Sequence, residues 1–181
     1  DYQRERAWTW EHQALVRARA IAGDAALLAA FEALRAEVLS RPRDPAALAA
    51  DVSSMRRRMR AELDRSEPDR GDVAVFDIKQ GEGGLVDLEF LLQCLVLRNA
   101  HAHAALLAPR DTPGLLRALG EAGVLPEAEA LREAHAVLLD AGLRCTLDRR
   151  KRLLPRNQVP ETTRDAISSV VRAAGLRFDG S

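Results

Sequence analysis

The residues best suited to chemistry fall in one short stretch, KQGEGGLVDLEF over 79–90, which holds a lysine, three glycines and three carboxylates. Gly81, Gly83 and Gly84 can turn backbone amides toward a ligand. The N-terminus of the helix that follows adds partial positive charge, and Lys79 supplies a full one. These are the parts of a cradle for a nucleotide or phosphate. The spacing is neither that of a P-loop nor GxGxxG, and the same glycines equally suit a tight turn that seats a buried helix, so both readings stand. Asp87 and Glu89 come next. Residues two apart on a helix point about 200° from each other, so these two carboxylates do not converge on one ion. Asp87 lies where a helix N-terminus favours negative charge by roughly 0.3–1 kcal/mol. Glu89 falls inside an otherwise apolar helix and needs a cationic partner, for which Arg17, Arg19 and Lys79 are the candidates.

Other chemistry is thin. His12, His101, His103 and His135 form no ligand set, and His101 and His103 read as a pair at a helix end. Cys94 and Cys145 lack a paired spacing, which argues against a disulfide framework or a zinc site and fits a reducing, cytoplasmic setting. There is no GxSxG elbow. Nor is there a loop with two aspartates one residue apart after a Gly-Ser turn, the arrangement that holds catalytic magnesium for nucleotidyl transfer. On its own residues the chain is short of a complete active site.

The elements that must position these residues are helical. A first periodic segment spans about 2–22 with Trp10, Ala14, Ala18 and Ile21 on one stripe, and Gly23 is its expected left-handed C-cap. Asp24 caps a second helix carrying Leu27, Leu28, Phe31, Leu34, Val38 and Leu39, which RPRDP at 41–45 ends. A third starts near Asp44 with the stripe Leu48, Val52, Met55, Met59, Leu63, and Arg56, Arg57, Arg58 and Arg60 fan around its other faces as a solvated surface. After a loop at 66–72, VAVFDIK at 73–79 reads as a short extended segment. LVDLEFLLQCLVLRNAH is then apolar on nearly every side and predicts the buried centre of a bundle. A capped short helix at 111–123, a long helix opened by Pro126 and a last helix between Pro160 and Gly175 complete an all-α antiparallel bundle of about seven helices.

Composition agrees. The chain has 181 residues with 32 Ala and 27 Leu against 12 Val and 3 Ile, so helix formers dominate. At this length a compact chain buries about 70% of its unfolded surface, and 47% hydrophobic residues support a sizeable core. There is no apolar run near 18 residues, which argues against a membrane span. Twenty-seven basic residues balance 27 acidic ones, removing the general electrostatic argument for a nucleic-acid or anionic-membrane partner. The chain opens with DYQRERAWTW, without Met or a hydrophobic leader, and the expectation is a region of something longer.

Two stretches, TWEHQALVRARAIAGD at 9–24 and VFDIKQGEGGLVDLEFLLQCLVLRNAH at 75–101, with MRRRM between them, carry a resemblance. Together they resemble the helical region that follows the second, adenylylating nucleotidyltransferase domain of the glutamate-ammonia-ligase (glutamine synthetase) adenylyltransferases. The resemblance covers about 5–150 and loses sharpness after Arg98; uridylyltransferases of nitrogen signalling share the Lys, the Gly pair and the Glu-Phe. It implies a cytoplasmic enzyme that transfers AMP from ATP, with magnesium, to a tyrosine of glutamine synthetase. A PII-type signal protein and glutamine would control it. The metal-binding aspartates would lie in the preceding nucleotidyltransferase domain, so none is carried onto this chain. Carried over instead are Trp10, Glu11, Arg17 and Arg19 in the first helix, and Lys79, Gly83, Gly84, Asp87, Glu89 and Phe90 around the glycine loop.

The resemblance thus predicts a single helical domain over 1–181 within a larger multidomain enzyme, with 155–181 a loosely attached terminal helix. The first helix and the glycine loop would face the catalytic domain, with Lys79 and the loop amides near ATP phosphates or a backbone carboxylate. Glu89 would hold Arg17 or Arg19 in place, and Trp10 and Phe90 would pack the core. The alternative is a regulatory module that docks glutamine synthetase or the PII-type protein through a surface such as Arg56 to Arg60 and does no chemistry.

Overall fold

A helix with apolar side chains on every side is stable only when other elements surround it, and the fold is organised around such a helix. The computed structural model describes residues 2–66 and 74–179. Its helices are α1 (Tyr2–Glu5), α2 (Thr9–Arg17), α3 (Ala25–Leu39), α4 (Pro45–Leu63), α5 (Leu85–Asn99), α6 (Thr112–Glu121), α7 (Ala128–Leu147) and α8 (Glu161–Ala173). Two short strands, β1 (Val75–Asp77) and β2 (Leu153–Pro155), and two 3-10 turns complete the order. The architecture is the expected all-α bundle. α5 is its centre, buried from Val86 to Leu88 and from Leu91 to Leu97, and α2, α4, α6, α7 and α8 all pack on it. Leu88, Leu91, Leu92 and Val96 meet Val16, Val52, Leu116, Leu131, Leu138 and Ile167 in one core. α8 adds Val170 and Val171 to that core and packs on α5 and α7. No helix is long and apolar enough to cross a membrane among the described residues.

Three helix starts follow the predicted capping chemistry. Asp24 accepts from the amides of Ala26 and Leu27, Asp44 from Ala47 and Asp111 from Gly114, each such cap being worth about 1 kcal/mol. Cys94 and Cys145 are buried and free, and burial pushes the Cys94 thiol up to about 11, which makes it a packing residue rather than a nucleophile.

The first predicted helix is where the fold departs from the pattern. It is two helices: α1 ends at Glu5, Trp8 is extended, and Glu11 accepts the Trp8 amide at 2.8 Å to start α2 afresh. α2 then stops at Arg17, well short of Gly23. The buried guanidinium of Arg35 supplies the reason, since it donates to the carbonyls of Leu15 (2.7 Å) and Val16 (2.6 Å). It thereby satisfies end groups that a further helical turn would otherwise use. Gly23 has φ +138° but follows non-helical chain, and Ile21, assigned to the apolar stripe, is 82% exposed. The extended segment at 75–77 also has a partner that alternation did not reveal: β1 pairs antiparallel with β2, Phe76 opposite Leu154. The loop expected at 66–72 lies, apart from Ser66, outside the described residues.

Candidate functional site

β1 delivers the chain to the glycine loop, and Asp77 at its end organises the turn. The Asp77 carboxylate accepts from the amides of Lys79 and Gln80, both at 2.9 Å, and its carbonyl accepts from Gly81 at 2.8 Å. Gly84 donates to the Gly81 carbonyl, and Leu85 and Val86 donate to those of Ile78 and Lys79. Gly83 donates to Asp87 Oδ2 at 2.8 Å. The loop amides therefore point inward, and the glycines serve close packing. A Cβ on Gly81 would stand 2.7 Å from the Asp77 carbonyl and the Phe76 ring. Gly83, at φ +73°, lies so close to α8 that a Cβ would meet the Arg164 carbonyl at 2.5 Å. The turn leaves two side chains outside: Glu82, which lies 3.7 Å from Arg172 on α8, and Lys79, which is exposed and has no ion pair among the described residues.

Asp87, near the start of α5, is the centre of the arrangement. Arg56 Nε donates to its Oδ1 at 2.7 Å and Arg60 to its Oδ2 at 2.5 Å. Arg56 also donates to the Gln80 carbonyl at 2.6 Å, which ties the glycine loop to α4. Arg56 is fully buried and Asp87 nearly so. Burial pulls the Arg56 guanidinium down from its ordinary value and Asp87 pulls it back up. Two expectations are corrected here. The arginine run is not wholly a solvated face: Arg57 and Arg58 are exposed, but Arg56 and Arg60, four apart on α4, grip one carboxylate. The carboxylate that is buried among apolar helices is Asp87, not Glu89. Glu89 is partly exposed and pairs with Arg17 at 2.8 Å, one of its three candidate partners. Arg19 is exposed and Glu11 belongs to the α2 start, hydrogen-bonded by the Trp8 amide and the Tyr2 hydroxyl.

Trp10 is also not a core residue. It is 48% exposed and Trp8 68%, and both line a cleft of about 600 Å³ with Arg6, Asp51, Met55 and Arg58. Trp10 and Met55 continue into a second, more apolar groove of about 430 Å³ with Met59, Phe90 and Gln93. Phe90 is half-buried and meets Phe178 edge-on. The break between α1 and α2 produces this surface, because it frees two tryptophans that a continuous helix would have directed by its own periodicity.

Buried Arg35, Gln80 and Arg164 had no place in the pattern. The one available signal was Arg35 itself, a lone cation on the apolar side of α3.

The donor chemistry around the loop does not fit a bound magnesium ion. Asp87 is neutralised by two arginines, Asp77 by amides, and no group of three or more His, Cys, Asp or Glu is placed to hold a metal among the described residues.

Two family models match the chain: glutamate-ammonia ligase adenylyltransferase over residues 1–34, and GlnD PII-uridylyltransferase over 53–172. The bifunctional glutamine synthetase adenylyltransferase/adenylyl-removing enzyme of Stenotrophomonas maltophilia strain K279a is 61% identical over 98% of the chain. The chain belongs to the glutamate-ammonia ligase adenylyltransferase family. Enzymes of the same name from Xanthomonas campestris pv. campestris strain B100 and Nitrosococcus oceani are 55% and 48% identical over 98% and 81% of the chain. The chain spans 19% of the Stenotrophomonas relative's length and 15% of the Nitrosococcus relative's, so it corresponds to a region of these longer enzymes. The adenylyltransferase model takes in Trp8, Trp10, Glu11 and Arg17, and the uridylyltransferase model takes in the Arg56–Asp87 clamp and the glycine loop.

Proposed function

We propose that this chain is the non-catalytic helical region of an enzyme that transfers AMP from ATP to glutamine synthetase and removes it again. Its role is to hold and complete a neighbouring nucleotidyltransferase domain that binds ATP and magnesium. The activity for which the relatives are named suggests the substrate, and the inward-turned glycine loop supports the assignment of roles. Its amides and the Asp77 and Asp87 carboxylates are committed to the fold, and Lys79 is the cation it offers outward, as a point charge for a phosphate held by the adjoining domain. The Trp8–Trp10–Met55 cleft is then the seat for that domain, and the Glu89–Arg17 pair fixes α2 to α5 beneath it.

The experiment is Lys79→Ala in the full-length protein. Lys79 is exposed, so stability should change by no more than about 0.5 kcal/mol. The kcat for adenylyl transfer should fall, by roughly tenfold if one charge-assisted contact to the phosphate is lost. Unchanged turnover would sink the role given to Lys79.

A second reading has its own observation. The same aromatic cleft, with Arg58 at its rim, has the character of a protein-docking surface, and it would receive glutamine synthetase or a PII-type signal protein directly. The surface expected for this role, Arg56 to Arg60, is not available as a unit, since Arg56 is buried and Arg60 engaged.

A further inference from the structure

Three arginines are buried in the described residues, and two of them are fully provided for. Arg35 donates to three carbonyls, of Leu15, Val16 and Leu107. Arg56 donates to Asp87 and to both oxygens of Gln80. The third, Arg164, is only 6% exposed, yet its side chain makes no hydrogen bond and no ion pair among the described residues, and its Nε is buried without an acceptor. Its guanidinium lies over the Phe76 ring at 5.4 Å, a contact that accepts a cation's face but none of its N–H groups. A desolvated cation with unused donors is an expensive arrangement unless something else supplies the acceptors.

What lies beside it is an open surface cavity of about 470 Å³, shallow rather than enclosed, lined by Arg156, Asn157, Val159, Pro160, Glu161 and Arg164. The floor of that cavity is the first turn of α8, a helix of 13 residues whose N-cap is Pro160 and which has no side-chain cap. The amides of Glu161 and Thr162 have no acceptor among the described residues. Arg156, also in the lining, is exposed and makes no ion pair among those residues. Glu161 is the single acid in the lining, and Glu82 and Asp165 act on Arg164 from outside it.

We infer that this cavity is a binding site for a phosphate group. The Arg164 and Arg156 guanidiniums would grip the phosphate oxygens from two sides, and the free amides and positive end of α8 would supply the remaining donors. The site lies at α8, apart from the aromatic cleft, and does not depend on the function proposed above. It also gives Gly83 a second purpose. By admitting the Arg164 backbone to within contact of the glycine loop, Gly83 fixes the turn of α8 from which the Arg164 side chain extends.

The test is a titration of the 181-residue chain with inorganic phosphate, and separately with ADP, followed by amide and Arg Nε–H signals in two-dimensional NMR. The expected result is saturable shifts at Glu161, Thr162 and Arg164 Nε–H. They should be lost in Arg164→Met, weakened several-fold in Arg156→Gln and strengthened in Glu161→Gln. Equal affinities would identify the phosphate alone as ligand, whereas tighter ADP binding with the same shifts would identify a nucleotide or similar phosphate ester. Arg164→Met should also leave the unliganded chain folded with an unchanged or higher Tm, because it removes a buried charge that has no hydrogen-bond or ion-pair partner and keeps an apolar contact for the Phe76 ring. The proposal is overturned if no saturable shift occurs at these residues, if Arg164→Met binds phosphate as the parent does, or if that variant unfolds, which would make Arg164 a structural group.

Discussion

The α4–α5 clamp and the α1–α2 edge lie side by side in this molecule and are built on opposite terms. In the clamp, Arg56, Gln80, Gly83 and Asp87 are buried and bonded to one another, and the partly buried Arg60 closes the set on Asp87. At the edge, two tryptophans stand in solvent around an open cleft. Chemistry-bearing residues thus serve the fold, while residues that read as core form the surface with most to offer a partner. A carboxylate or an arginine therefore reports function only when its partners leave something over. By that test Lys79 and Arg164 are more informative than Asp87.

The largest effect should come from breaking the clamp. Asp87→Ala leaves Arg56 buried without its counter-charge, which should cost about 3–5 kcal/mol in denaturant unfolding. Replacing the whole set with Arg56→Met, Arg60→Met and Asp87→Leu should recover most of that loss, because no uncompensated charge then remains. A single variant that loses less than about 1 kcal/mol would mean that the clamp is solvated and that the contrast with the edge is false.

Next comes the contact that seats the loop on α8. Gly83→Ala must find room for a Cβ at 2.5 Å from the Arg164 carbonyl and do so at φ +73°, for which about 2–4 kcal/mol is expected. Gly123 separates the two causes. It has φ +69° with nothing within 4 Å of its Cβ position, so Gly123→Ala carries the backbone strain alone, about 1 kcal/mol. Equal melting temperatures for the two variants would remove close packing as the reason for a glycine at 83.

A smaller effect belongs to pH. Burial holds His135 and His12 below the ordinary imidazole value, opposed at His135 by Glu89 and at His12 by the Gln3 carbonyl. The unfolded chain therefore binds protons that the folded one refuses just below about pH 6.5, and stability falls as pH drops through that window. His135→Gln should flatten part of the fall between about pH 7.5 and pH 5.5, leaving the His12 share. A slope unchanged by the substitution would show that His135 titrates normally.

These residues also show what a sequence makes legible. The caps at Asp24, Asp44 and Asp111 are local chemistry, three residues deep, and were read correctly. So was α5, whose apolar faces leave one place for it in a bundle. Glu89–Arg17 was within reach because an acid inside an apolar helix demands a cation. The clamp was not, because Asp87 and Arg56 are 31 positions apart and an arginine run looks the same whether two of its members turn inward or none does. The end of α2 was hidden for the same reason. It is set by Arg35, 19 and 20 residues along the chain from the carbonyls it takes, and no local breaker marks it. Periodicity finds a stripe, but tertiary donors decide where the helix carrying it stops, and the restart at Trp8, ahead of that stop, is what leaves the tryptophans outside.

The smallest effect on stability should attend the largest change in exposed surface. Trp8→Ala with Trp10→Ala removes two side chains that are 68% and 48% exposed, so unfolding should shift by about 1 kcal/mol or less. The same double variant in the full-length protein separates the two uses of the cleft. If it seats the nucleotidyltransferase domain, kcat for adenylyl transfer falls and KM for glutamine synthetase stays. If it docks glutamine synthetase, KM rises and kcat at saturation stays. A large loss of stability would instead make the tryptophans packing residues, as expected for Trp10, and erase the distinction between the edge and the clamp. Activity unchanged in both parameters would leave the cleft without either role and place the weight of the proposed function on Lys79 alone.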